Sequence, residues 1–109
     1  MISFEQSETV KQTRDLVHAV ARDAMRPISR EFDEREHEKP WDFLKMMWSV
    51  SGGRPLGTDP TARKTGPREG NVAACVTIEE LSWGDAGLYL SIPNAGLGGA
   101  AVAAAGTPE

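Results

Sequence analysis

From Ala86 to Pro108 the only side chain that ionises is that of Tyr89. A run of this length without charge crosses a membrane, packs inside a domain, or forms a surface that something else covers. Five glycines, together with Pro93, Asn94 and alanine in place of larger apolar residues, argue against a membrane span. The run therefore reads as an interior helix pair, or as a small-sided face against which another backbone lies closely.

Charge elsewhere is distributed just as unevenly. Residues 1–39 hold seven basic and nine acidic side chains, 40–70 hold five and three, and 71–109 hold none and four. The net charge of −4 and the mixing of cations with acids provide no basic stripe for nucleic acid. Cys75, the one cysteine, has no internal disulfide partner. Glu5 and Glu8 stand where a secretory leader has a basic start and an apolar core, so a cytoplasmic location is expected. At 109 residues the chain suffices for a single domain, residues 1–109.

Helix signals fill the first fifty residues. Ser7 caps a helix in which Val10, Val17, Val20, Ala21 and Ala24 recur at helical spacing, with Arg14, Asp15, Arg22 and Asp23 off that stripe. Pro27 disfavours helix at Arg26 and suits the first position of a second helix, from Ile28 to about Glu36. Pro40 opens a third, with Trp41, Leu44, Met47 and Trp48 on an apolar face. Between Ser49 and Asn71, five glycines and three prolines stop any regular element, which predicts a long loop near residues 49–70.

Asn71 then caps a largely buried helix, with Val72, Val76 and Trp83 on one side and Cys75, Ile78 and Leu81 spread around it. Gly84 ends that helix and Asp85 caps the next, Ala86 to about Ile92. "GLGGAAVAAAG" is a short small-residue helix after the break at Pro93 and Asn94. Gly106 is expected to close it in the left-handed conformation. Thr107, Pro108 and Glu109 have the chemistry of a new helix start. With no period-two alternation and no internal repeat, the expected fold is an all-α bundle of about five to six helices.

Few residues invite catalytic roles. Glu79 and Glu80 are adjacent, so their side chains diverge by about 100° and suit solvation or ion pairing better than a dyad. His18 and His37 lack a second ligand at metal spacing. Cys75, flanked by alanine and valine without a nearby cation, reads as an inert buried thiol. "GLGG" at 96–99 lacks the preceding strand and following lysine of a phosphate loop. Arg30 with Glu34, and Glu31 with Arg35, are pairs one turn apart on a solvated face. Trp41, Trp48 and Trp83 read as packing anchors of a small core.

Three stretches in order carry a family resemblance. "MISFEQSETVKQTRDLVHAVARDAMRPISREFDEREHEKPWDFLKMM", "VTIEELSWGDAGLYLSI" and "AAAGTPE" together resemble the N-terminal helical domain of the acyl-CoA dehydrogenases. Only residues 49–70 lie outside the resemblance, where Gly52 to Gly70 is longer and more basic than the short turn usual in the family. Full-length members add a middle β-domain holding much of the FAD and a C-terminal four-helix bundle bearing the carboxylate that removes the substrate's α-proton. The resemblance implies that this chain is a fragment or truncated relative that contributes acyl-pocket wall, with Tyr89, Leu90, Pro93 and Leu97 as substrate-binding residues. Neither FAD nor catalytic activity is expected of the chain alone; its partners would be acyl-CoA, the two other domains and, in a homo-oligomer, further copies of itself. The competing reading, from another class, is a non-catalytic interaction module that binds a partner through the 86–108 surface.

Overall fold

The computed structural model describes residues 5–53, 69–94 and 96–106, without the side chains at 96, 97, 100 and 103. The elements are α1 (Glu8–Val20), a π-helical segment (Ala21–Met25), α2 (Arg26–Glu34), α3 (Trp41–Val50), α4 (Gly70–Ser91) and α5 (Gly96–Ala105). Among the described residues there is no strand, and the class is all-α. Most of the expected loop, and the expected helix start at Thr107–Glu109, lie outside the described residues.

Helix α1 begins as its sequence dictates. The Ser7 hydroxyl accepts from the Val10 N–H at 3.3 Å, satisfying one of the donors that a helix start leaves without an intrahelical partner. The expected break at Pro27 does not occur. The Arg26 N–H reaches back five residues to the carbonyl of Ala21. The turn is thereby widened just ahead of a ring that would otherwise press on the carbonyl four residues earlier. Residues 8–34 thus run on as one rod, and there are fewer separate rods than the five or six expected.

Pro40 and the glycine pair after α3 act locally. Pro40 sits at the cap position of α3, one residue earlier than expected. At the far end, Gly52 and Gly53 take φ of 68° and 71°. Their N–H groups donate to the Ser49 and Trp48 carbonyls at 3.0 and 2.8 Å, a Schellman motif that the glycine pair makes possible. Gly106 does not take the left-handed conformation; its N–H still donates to the Val102 carbonyl four residues back, so the helical backbone continues to that point.

The core forms where the π segment and α4 cross. Ala21, Met25, Leu81 and Leu88 meet there, joined by Phe43 and Met47 from α3 and by Ile92. Gly84 is buried at this crossing, where a Cβ on it would lie 2.9 Å from the Ala21 Cβ and 3.1 Å from the Met25 Sδ. Val10 and Val76 are buried farther along the same pair of helices.

Several burial expectations are corrected. All three tryptophans are exposed, and Phe43 and Met47, one turn apart, take the inward face of α3 instead. Trp41 precedes Phe43 by two positions and so points about 200° around the helix from it. Helix α4 is covered on one face only: Val72, Ile78 and Cys75 are exposed, so the thiol is not buried. It also starts before Asn71. Glu69 is already helical in φ and ψ at the cap position, and Asn71 falls inside the first turn.

Candidate functional site

Two groups of side chains stand out at the α4 crossing. The first joins α1 to the proximal half of α4. His18 Nδ1 lies 2.7 Å from Glu80 Oε2, and the His18 ring stacks on Trp83 with centroids 4.5 Å apart. The Arg26 guanidinium sits 5.2 Å from the Trp83 ring centroid, within cation–π range. Glu80 thus hydrogen-bonds His18, while Glu79 is exposed. Trp83 stays 47% exposed and holds the crossing from its rim.

The second group surrounds Asp85. Its backbone leaves the helix for one residue, with φ −174° and ψ 119°, and so kinks α4. One carboxylate oxygen, Oδ1, accepts from the Leu88 N–H at 2.7 Å, which makes Asp85 the cap of the distal half, as its sequence predicts. The other, Oδ2, accepts from the Ser29 hydroxyl at 2.5 Å. Sequence reading found the cap because that bond spans three residues. It missed the Ser29 bond, which spans 56, and the His18–Glu80 bond, which spans 62.

Beside Asp85 lies an open cleft of about 590 Å³. Among the described residues its walls include Asp33, Glu36, Glu38 and Asp85 against one cation, Lys39, together with Phe32 and Pro40. Four carboxylates to one ammonium repel a pyrophosphate, so the cleft does not suit FAD or the phosphate end of coenzyme A. No group of three or more acidic, His or Cys side chains that could hold a metal is found among the described residues. Among the same residues no helix is long and apolar enough to cross a membrane.

Of the residues implicated by resemblance, Tyr89, Leu90 and Pro93 have described side chains. Tyr89 is half-buried against the core, Pro93 is exposed and Leu90 is 75% exposed. Leu88 and Leu90 differ by two positions, about 200° of helix, which is why one is sealed and the other bare. Leu97 lies in α5, its side chain outside the described set. On α2, Arg30–Glu34 and Glu31–Arg35 pair at 3.0 Å each, as their spacing predicts. In the π segment Arg22 hydrogen-bonds Asp23 and holds its carboxyl below the usual carboxylate range.

A family model described as "Acyl-CoA dehydrogenase, N-terminal domain" matches residues 7–109 of this chain. No solved structure matches it.

Proposed function

We propose, from the premise that this chain belongs to the acyl-CoA dehydrogenase N-terminal domain family, that it supplies one wall of an acyl-CoA site in a flavin-dependent dehydrogenase. The match over residues 7–109 carries this reading. The bare apolar side of the distal α4 half, at Leu90, supports it. FAD and the carboxylate base would come from other domains, in keeping with the acidic cleft here.

The contribution of this chain is then positional. Tyr89, Leu90, Pro93 and Leu97 would meet the acyl chain, align it and keep water away from it. Each buried methylene is worth about 0.8 kcal/mol. Leu90 is therefore placed to influence which acyl length fits, and the phosphates of coenzyme A would stay clear of the carboxylates around Asp85.

The test is reconstitution with the separately expressed flavin and base domains of a family member. Reduction of an electron-accepting dye by acyl-CoA should need all the parts, and L90W should shift the preference toward shorter acyl chains. An active mixture whose length preference ignores substitution at Leu90 and Pro93 overturns the wall assignment. Stoichiometric flavin on the 109-residue chain alone overturns the division of labour.

The second reading, a non-catalytic module that binds a partner or another copy through residues 86–108, is favoured by Val102, which is 67% exposed on α5. Light scattering after size exclusion separates the two. Self-association, or apolar-dye binding, that V102S abolishes supports the module. A clean monomer that binds no dye counts against it.

A further inference from the structure

We propose that Asp85 and Ser29 are positioning residues that aim the substrate-facing half of α4, an inference that rests on the wall reading above. The distal half, from Ala86 to Ser91, carries Tyr89 and Leu90, and its direction is set at the kink. Gly84, immediately before the kink, has no side chain with which to restrain the turn, and its space is already filled by Ala21 and Met25. Leu88 and Ile92 seat the distal half in the core, and a single carboxylate adds the directed restraint at the kink. Asp85 Oδ1 holds the first turn of the distal half through the Leu88 N–H, and Oδ2 holds α2 through the Ser29 hydroxyl. Both residues are half-buried, so water competes only partly for these bonds.

This arrangement ties the wall to α2 rather than to the backbone alone. Leu90 lies five residues past the kink, about 7.5 Å along the helix. A change of about 20° at Asp85, the size of an ordinary sharp kink, would carry Leu90 roughly 2–3 Å sideways. Displacement on that scale exceeds a carbon–carbon bond and would alter which acyl chain fits.

Double electron–electron resonance on the full 109-residue chain tests the hinge without requiring activity. Nitroxides go on Cys75, the one native cysteine and an exposed one, and on L90C, with the kink between them. Along a straight helix those backbone positions would be about 22 Å apart. The native kink should give one narrow, shorter distance. D85A should lengthen it toward the straight-helix value, S29A should broaden it, and D85N, which keeps the cap acceptor, should restore most of the native distribution. S29A leaves the backbone cap intact and reports even if D85A fails to fold.

Unchanged distances in both S29A and D85A overturn the proposal. In the reconstituted enzyme, D85A and S29A should change KM ratios between acyl lengths more than kcat, with partial rescue by D85N. Shifted distances with unchanged length preference leave the hinge standing and overturn the wall reading on which its functional role rests.

Discussion

The proximal half of α4 and helix α5 are both helices without a cation, yet one packs a face on its neighbours while the described side chains of the other stay outside the core. The proximal half places Val76, Leu81 and Gly84 against α1 and the π segment, and it sends Glu80 across to His18. Helix α5 offers alanines, glycines, Leu97 and Val102, and none of its described side chains enters the core. An alanine buries a single methyl group, too little to hold a helix in place unless a partner's backbone comes close. Lack of charge is thus a permission for burial, and the larger side chains decide whether it happens.

The contrast breaks most readily at its sealed end. Met25 is fully buried where the π segment meets α4, so M25A should cost about 2–5 kcal/mol in urea unfolding followed by circular dichroism. A loss below about 1 kcal/mol would show that the crossing is loosely packed. G84A forces a methyl group against Ala21 and should cost about 1–3 kcal/mol. Adding A21G should recover part of that loss, and no recovery would mean that the contact is not the cause.

Smaller effects sharpen the contrast. S7A removes the α1 cap and the hydroxyl that donates to Glu69 at 2.6 Å, for a loss of about 1 kcal/mol. At the bare end, L90S and V102S should stay within about 0.5 kcal/mol of the parent while reducing apolar-dye binding. A cost above about 2 kcal/mol would mean that these side chains are covered in solution. The smallest effect is Asp23, exposed, with its carboxyl held low by Arg22. The stability it lends is present above the usual carboxylate range and is lost as pH falls through its lowered value. A slight Tm deficit of D23N at neutral pH should therefore close in acid, and a deficit that widens there would reverse the assignment.

What the sequence made legible follows the range of each interaction. Ser7 and Asp85 declare themselves as caps because each acts within three residues, and the α2 ion pairs do so within four. The Schellman motif was equally local, in the run Ser51–Gly52–Gly53, but it is easily absorbed into the glycine-rich stretch that follows. The exposure of Trp41, Trp48 and Cys75 was not legible, since periodicity gives a helix face without saying whether anything covers it. The continuous rod through Pro27 was hidden for a different reason. A proline's effect depends on whether the turn before it can widen, and Ala21 and Arg26 show that here it does. Of the candidate site, the Gly-Asp turn could be read in advance, while the Ser29 anchor and the His18–Trp83 stack depend on α1, α2 and α4 being brought together.

The widened turn at Ala21–Met25 also fixes the angular phase of everything that follows it in the rod. Tightening it to ordinary α-helix with every residue kept would rotate α2 by about 100° about its own axis. Ile28 and Phe32 would swing off the core, and Ser29 would lose its alignment with Asp85. A single-codon deletion within this segment, which lets the spiral close with α2 still in phase, is thus milder than one elsewhere in the rod, which turns half a helix the wrong way round.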